Sequence, residues 1–267
     1  MDSDGRDEII YGSCVIDDNG KGLYSTGLGH GDAMHFSDLD PNRPGLEVFK
    51  ANGDRQNAAG LQMRDALTGQ QLFGLPSTGD NGVGRACALD IDPRHAGCEL
   101  WGKGQGVGGL FNVKGERISD AAPATCNMGA WWDGDLLREL LNGVTITKWN
   151  FLNHREERLF SGADYDCAAN NGSKSNPALC ADLLGDWREE IVARTRDNKE
   201  LRIFTTTHPT KHRFPTLMHD PIYRLGIAWQ NVAYNQPAHP GFFLGEGMKP
   251  PAPTRIATRP AKATPRP

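Results

Sequence analysis

The sequence contains no uninterrupted apolar run of about 18 residues, which excludes a conventional membrane-spanning helix. It also lacks a basic surplus, since 29 Lys and Arg residues stand against 33 Asp and Glu residues and the formal net charge is −4. We therefore expect no nucleic-acid partner. The first ten residues, MDSDGRDEII, have neither the basic start nor the apolar core of a signal peptide. They resemble a loop that runs into a strand, so we expect the chain to begin inside a fold, as a fragment would.

Cysteine pairs of the kind that bind metals are missing. The six cysteines lie far apart, at positions 14, 87, 98, 126, 167 and 180. Their even number would permit three disulfides, which suits an exported protein. Free buried thiols explain the same residues, and the sequence leaves both alternatives open.

Long helices are not evident, whereas turn-forming residues are abundant. The 267 residues include 32 glycines and 17 prolines, and only 38% are hydrophobic. This composition favours many short strands joined by tight turns. From residue 249 onward the chain holds Pro, Ala, Thr and basic residues but no acidic one. We therefore assign residues 1–248 to the folded domain and residues 249–267 to a linker or disordered tail.

An aspartate-rich loop, followed by a glutamate and an apolar residue, recurs five times. The loops start at residues 2, 38, 90, 133 and 182, so successive copies lie 36 to 52 residues apart. That period fits one four-stranded β-propeller blade per repeat. The segments that follow the loops, such as LEVFKA and CELWGK, are short, apolar and typical of strands. The segment 136–143, LLRELLNG, could form a helical turn, but its place in the repeat predicts a strand. The sequence therefore predicts an all-β fold.

The repeated loops offer the oxygen ligands that calcium prefers. Two carboxylates at alternate positions and a later glutamate could surround a cation that takes about six to eight oxygens. The alternative is that Asp and Gly simply favour turns. Five loops in register favour calcium, in a structural role. The predicted ligands, loop by loop, are Asp2, Asp4 and Glu8; Asp38, Asp40 and Glu47; Asp90, Asp92 and Glu99; Asp133, Asp135 and Glu139; and Asp182, Asp186 and Glu190.

Two further polar segments are candidates for chemistry. His30 and Asp32 are two residues apart on an extended segment, so their side chains point the same way and could ligate a metal or bind substrate. A loop histidine satisfied by its neighbours is the alternative. Lys174 is the lone lysine of a polar turn, NNGSKS (170–175). A lysine in such a turn is ordinarily a solvated loop residue.

Six unusual strings cover much of residues 1–248. They are GLYSTGLGHGDAMHFSDLD, NMGAWWDGDLLRELLNG, NNGSKS, ADLLGDWREEIV, ELRIFTTTHPTKHR and LMHDPIYRLGIAWQNVAYNQPAHPGFFLGEGM. These strings resemble the rhamnogalacturonan lyases of polysaccharide lyase family 11. The resemblance implies a catalytic, eight-bladed, calcium-binding β-propeller, of which about five blades lie in this chain. It implies cleavage of the acidic pectin backbone rhamnogalacturonan I, with an endolyase preferred over an exolyase. It also implies secretion, a monomer at full length, and calcium without an organic cofactor.

The resemblance implies roles for particular residues in a β-elimination. A lyase removes the C5 proton of galacturonate and expels the C4 oxygen, once the neighbouring carboxylate is neutralised by a cation. Lys174 would be the base, Arg85 would neutralise the carboxylate, and Tyr234 would hydrogen-bond or protonate the leaving oxygen. The other implied contacts are to the sugar, from Asn171, Gly172 and Ser173, and to the active-site calcium, from His30 and Asp32.

The chain departs from the family pattern at one position that bears on calcium. After LEVF the family commonly continues with a His-Glu pair, and its Glu would help to hold the catalytic calcium. Here residues 50–54 read Lys-Ala-Asn-Gly-Asp. The resemblance therefore implies that this ligand is missing or replaced by Asp54.

Each implied role has a structural alternative. Arg85 could pair with Asp90 or Asp92, and Tyr234 could be a surface aromatic residue. A function of another class is also open: a non-catalytic calcium propeller for adhesion or glycan binding. It explains the aspartate loops equally well, but it gives no reason for Arg85, Lys174 and Tyr234 to lie in their particular strings.

Overall fold

The computed structural model describes residues 4–54, 56–172, 174–232, 236–251 and 253. Within them, nineteen strands form five antiparallel sheets, and the all-β prediction is confirmed. The strands are β1 (Ile9–Tyr11), β2 (Cys14–Ile16), β3 (Gly22–Ser25), β4 (Met34–Ser37), β5 (Glu47–Ala51), β6 (Leu61–Asp65), β7 (Gln71–Leu75), β8 (Arg85–Leu89), β9 (Glu99–Lys103), β10 (Leu110–Phe111), β11 (Arg117–Ser119), β12 (Met128–Ala130), β13 (Glu139–Asn142), β14 (Thr145–Asn150), β15 (Arg155–Ser161), β16 (Cys167–Ala168), β17 (Leu179–Ala181), β18 (Glu190–Thr195) and β19 (Leu201–Phe204). The helical elements are two 3-10 turns, Gly162–Tyr165 and Leu217–His219, and α1 (Pro221–Trp229).

Each sheet is built from strands that are neighbours in sequence. Sheet one contains β1 to β3, and sheets two, three and four contain β4 to β7, β8 to β11 and β12 to β15, hydrogen-bonded in chain order. In sheet five the central strand is β18, with β16 and β17 along one edge and β19 along the other. The ambiguous segment LLRELLNG contains β13, so the strand prediction for it is confirmed.

The predicted repeat coincides with these sheets. In sheets two to five, the glutamate that ends each aspartate loop is the first residue of a strand: Glu47 of β5, Glu99 of β9, Glu139 of β13 and Glu190 of β18. The next residue along each strand is fully buried or nearly so. The sequence period therefore corresponds to one sheet per repeat.

Successive sheets pack against one another through apolar clusters. One cluster joins sheets two and three, a second joins sheets three and four, and a third joins sheets four and five. Burying large side chains of this kind stabilises a fold by about 1.5–3 kcal/mol each. The main contributors are Phe49, Leu61 and Leu100; Leu89, Trp101, Leu140 and Trp149; and Ile146, Cys180 and Ile191.

Helix α1 follows sheet five and was not predicted from the sequence. Asp220 caps it, accepting a 2.8 Å hydrogen bond from the backbone N–H of Tyr223, and Pro221 occupies the first turn. This Asp-Pro pair was a usable helix-start signal. The buried Tyr223 hydroxyl donates to Glu189 (2.7 Å) and accepts from the backbone N–H of Asp182 (3.0 Å). The helix is thereby fixed to sheet five. No helix in the described ranges is long and apolar enough to cross a membrane.

A buried polar chain links the sheets to the C-terminal segment. Arg138 Nη1 lies 3.4 Å from His239 Nδ1, His239 Nε2 lies 2.9 Å from His35 Nδ1, and His35 Nε2 lies 3.0 Å from the Ala86 carbonyl oxygen. Because Arg138 can only donate and the carbonyl can only accept, both imidazoles are neutral with the proton on Nε2. Arg138 also forms a buried ion pair of 3.1 Å with Glu189.

We expect the free energy of unfolding to fall as the pH drops from about 6.5 to about 4, in part through His35. Burial lowers the pKa of His35 from 6.5 to about 4, with Arg138 adding to the effect. In this window the unfolded chain binds a proton that the native protein does not, so stability present at neutral pH is lost on acidification. A lowering of this size corresponds to about 3 kcal/mol.

Urea unfolding at about pH 7 and about pH 5 would measure this loss, in the parent protein and in His35→Gln. The variant should lose less stability between the two conditions. The comparison is needed because burial raises the pKa of Asp90 to about 8, which gives the opposite trend. Equal losses in both proteins would contradict the assignment to His35.

The six cysteines are free thiols, of which five are buried and Cys14 is half-buried. Burial raises the pKa of Cys98 and Cys180 well above the ordinary thiol range, which keeps them protonated and unreactive. Most of the predicted tail, like Asp2, Ser173 and Tyr234, lies outside the described residues.

Candidate active site

One cavity collects several of the residues singled out in the sequence. Its volume is about 480 Å³, and Arg85, Lys174 and Asp32 all line it. They come from sheet three, from the turn between β16 and β17, and from the segment before β4. The remaining lining residues that matter here are Lys103, Asn127 and Asn142.

Two basic residues lie next to each other at one edge of the cavity. Arg85 is the first residue of β8 and pairs with Lys103, the last residue of β9. Lys103 Nζ donates to the Pro123 carbonyl oxygen at 3.0 Å, and Arg85 Nε donates to the Cys126 carbonyl oxygen at 3.3 Å. Strand register therefore places two positive charges side by side, which suits a carboxylate-bearing ligand.

Asn127 connects Arg85 to the Lys174 turn. The Arg85 guanidinium donates to the Asn127 side-chain oxygen. The Asn127 amide in turn donates to the backbone carbonyls of Lys174 (2.9 Å) and Ser175 (2.7 Å). Asn127 was not predicted as a site residue. It directly precedes β12, the first strand of sheet four, much as Arg85 opens β8, so its repeat position was the available signal.

The Lys174 turn is held in place by short-range bonds. The Lys174 N–H donates to the Asn171 side-chain oxygen at 3.0 Å, and the Ser175 N–H donates to the Asn171 carbonyl at 2.7 Å. The Gly143 N–H donates to the Ser175 carbonyl at 2.6 Å, which docks the turn onto the β13–β14 hairpin. Asn171 thus shapes the turn, while Gly172 is exposed beside it.

The pair predicted to hold calcium lies beside the same cavity. His30 Nε2 is 3.2 Å from Asp32 Oδ1, so the two side chains meet as the spacing predicts. Close by, Lys50 is fully buried and its Nζ donates to the Gly29 carbonyl at 3.1 Å. Burial lowers the pKa of Lys50 to about 8, against the opposing effect of Asp54 and Asp32. The sequence predicted only that a calcium ligand is missing or replaced in this segment. The structure shows that Lys50 also brings a positive charge there.

The glutamates of the repeated loops share one contact. In each loop of sheets two to five, one carboxylate oxygen, Oε2, accepts hydrogen bonds from two consecutive backbone N–H groups of the loop. The glutamate thus closes its own loop, whether or not an ion is bound. The pairs are Leu39 and Asp40 on Glu47, Ile91 and Asp92 on Glu99, Trp132 and Asp133 on Glu139, and Leu183 and Leu184 on Glu190.

In the third loop, two of the three predicted ligands, Asp90 and Glu99, fit a calcium ion, whereas the other one, Asp92, is paired with Arg94. Within the described residues, Glu99 Oε1 and Asp90 Oδ1 are buried without a hydrogen-bond partner. Burial, with each carboxylate near other negative groups, raises the pKa of Glu99 well above its ordinary value and that of Asp90 to about 8. Unsatisfied buried carboxylate oxygens are costly, and a bound cation would satisfy them.

In the fifth loop, groups of the protein itself bind the two predicted aspartate ligands. Asp182 Oδ1 accepts from the Gly185 N–H at 2.8 Å, and its Oδ2 accepts from the Thr216 hydroxyl and the Leu217 N–H, each at 2.8 Å. Asp186 pairs with Arg188. In the first loop, Asp4 accepts from the Arg6 N–H at 2.9 Å.

The family model described as "Rhamnogalacturonan lyase family 11, C-terminal domain" matches residues 1–254. The chain belongs to rhamnogalacturonan lyase family 11. The resemblance seen in the sequence strings is therefore confirmed.

Members of family 11 align with almost the whole chain. Rhamnogalacturonan endolyase YesW of Bacillus subtilis (strain 168) is 56% identical over 248 residues, which are 93% of this chain and 39% of YesW. Rhamnogalacturonan exolyase YesX of the same organism is 54% identical over 264 residues, 94% of this chain and 42% of YesX. The solved structure of Bacillus licheniformis rhamnogalacturonan lyase PL11 superposes with a TM-score of 0.88 at 54% identity, over 94% of this chain and 41% of that one. The chain thus spans about two fifths of the length of these relatives.

Proposed function

We propose that this family 11 chain acts on rhamnogalacturonan I by β-elimination. The observation that carries the proposal is the meeting of Arg85 and Lys174, from different sheets, at one cavity through Asn127. The names of the relatives support the substrate. A protein that only binds an acidic glycan would use the same cations, and turnover distinguishes it from a lyase.

The proposed chemistry assigns each step to a residue of the chain. Arg85 and Lys103 bind the galacturonate carboxylate and neutralise its charge, which makes the C5 proton more acidic. Lys174 accepts that proton, the C4–O bond breaks, and a C4=C5 double bond forms. The rhamnose-bearing oxygen leaves with a proton, which Tyr234 would supply.

Calcium is proposed in two places. His30 and Asp32, with Asp54 as the replacement ligand, would hold an ion whose charge helps to neutralise the substrate carboxylate when it is bound. Asp90 and Glu99 would hold a structural ion in the third loop. The oxygens of Asp90 and Glu99 that have no hydrogen-bond partner support the second site, and Asp32 Oδ1, which also has no hydrogen bond among the described residues, supports the first.

The order and packing of the sheets carry a proposal for the fold. We infer that the five consecutive sheets, the first with three strands and the others with four, are successive blades of a calcium-binding β-propeller, about five of the family's eight. The chain-order meanders of sheets one to four and the apolar clusters between sheets two to five support this proposal. Secretion of the complete protein, and a monomeric state for it, belong to the same proposal.

Ultraviolet absorbance during incubation with rhamnogalacturonan I tests the activity. The product carries an unsaturated uronate that absorbs where the intact backbone does not. We expect a rise with calcium and a much smaller one with a chelator, and none with a rhamnose-free polygalacturonate control. A flat trace from this chain would contradict the proposal for these 267 residues. A rise after fusion to the preceding part of YesW would then locate the missing groups there.

A further inference from the structure

The fourth aspartate loop holds a side chain at the centre of its carboxylates. One oxygen each from Asp133, Asp135 and Glu139 lies within 4.8 Å of the others. Lys148 Nζ donates to all three: to Asp133, to Asp135 Oδ2 at 2.6 Å, and to Glu139 Oε1 at 3.0 Å. An ammonium has three N–H donors and no acceptor, so these three bonds use its full capacity.

The strand register explains why the Lys148 side chain reaches these three carboxylates. Leu140 pairs with Thr147 across the β13–β14 hairpin. Lys148 therefore lies directly opposite Glu139, where side chains on one face of the hairpin are close neighbours. The pairing of β13 with β14 therefore places the Lys148 ammonium beside Glu139.

In sheets two, three and five, a residue other than lysine lies opposite the glutamate of the repeat. In sheet five it is Thr205, which follows Phe204 and donates to Glu190 Oε1 at 3.0 Å. In sheet two it is Asp65, and Arg43 bridges it to Glu47, donating to Glu47 Oε1 at 2.6 Å.

Sheet three differs from both. There the opposite residue is Asn112, next to Phe111, which pairs with Leu100. Its side chain is occupied by bonds to Lys114 and Glu116. Glu99 Oε1 is consequently without a partner in the described part of the chain. The Oε1 atom of the glutamate therefore accepts from a guanidinium in sheet two, an ammonium in sheet four and a hydroxyl in sheet five, whereas in sheet three it has no hydrogen-bond partner among the described residues.

From these contacts we infer that Lys148 takes the place of a divalent cation in the fourth loop. Asp133, Asp135 and Glu139 were predicted as calcium ligands, but in this protein they bind the chain's own ammonium. The loop is closed without calcium, and it stays closed when a chelator removes ions from other loops. This inference does not depend on the lyase activity.

Counting bound calcium by equilibrium dialysis tests the inference. Lys148→Met removes the ammonium, keeps a side chain of similar length, and leaves three adjacent carboxylates. We expect it to bind one more calcium ion per chain than the parent protein. Lys114→Met, an exposed lysine on another sheet, should bind the same number as the parent. Adding Asp135→Asn to Lys148→Met should remove the gained ion.

Asp135→Asn alone provides an independent reading, since Asp135 is half exposed and its replacement should not prevent folding. The inference expects no change in calcium stoichiometry for this variant. A loss of one ion would overturn it, because the parent loop would then bind calcium despite Lys148. A folded Lys148→Met protein that gains no ion would also overturn it, because the loop would then not be a cation position.

Discussion

Lys174→Ala should lower the rate of the proposed rhamnogalacturonan I cleavage by about 10²–10⁴-fold, the range for loss of a general base. The variant should fold normally. The bonds that hold this turn to Asn127 and Asn171 use the backbone carbonyl and N–H of Lys174, which alanine retains. Initial rates from ultraviolet absorbance, together with a urea unfolding curve, separate the two effects. An unchanged rate would remove Lys174 from the mechanism.

Two companion variants define what Lys174 contributes. Lys174→Arg keeps the positive charge but cannot accept a proton near neutral pH, because arginine remains protonated. A base role expects Lys174→Arg to be nearly as inactive as Lys174→Ala. A purely electrostatic role would instead leave Lys174→Arg active, and the proton acceptor would have to be sought elsewhere. Lys114→Ala serves as the matched control on an exposed hairpin.

The sheet architecture could be predicted because the repeat is local. Each aspartate loop and its glutamate lie within about ten residues, and apart from β16, which pairs with β18, strands that are neighbours in sequence pair with each other. Turn-forming residues and short apolar runs therefore carried the information. Helix α1 was not predicted because its start signal is only the Asp220–Pro221 pair, and its stability comes from Tyr223 packing onto sheet five.

The candidate site was predictable only in part, because its residues come from distant positions. Arg85 and Lys174 were identified from strings that resemble a family, not from any property of their neighbours. Asn127 joins them through contacts 42 and 47 residues away in sequence. Such contacts depend on how sheets three, four and five are placed relative to one another. Lys148 was missed for a related reason: only the strand register shows that it faces Glu139.

Arg138→Met should reduce the free energy of unfolding by about 3–5 kcal/mol, the cost of breaking a buried ion pair from one side. Arg138 is 2% exposed, and its Nη2 donates to Glu189 Oε2 at 3.1 Å and to the Ala238 carbonyl at 2.8 Å. Its guanidinium carbon lies 3.9 Å from the centre of the Trp131 ring. Methionine fills part of this space but leaves the Glu189 carboxylate buried without its cation. Urea unfolding of both proteins gives the difference.

The controls follow from the same contacts. Arg155→Met breaks an exposed pair with Glu157 and should cost less than about 1 kcal/mol. Arg138→Met combined with Glu189→Gln removes the buried, unpaired charge of Glu189 and should recover part of the lost free energy of unfolding. If Arg138→Met costs no more than Arg155→Met, the buried network does not hold the sheets together. The expected loss matters for function because Arg138 joins sheet four to sheet five and to the C-terminal segment. The separation of Arg85 and Lys174 depends on that same placement of sheets, so turnover should fall with stability even though Arg138 does not line the cavity.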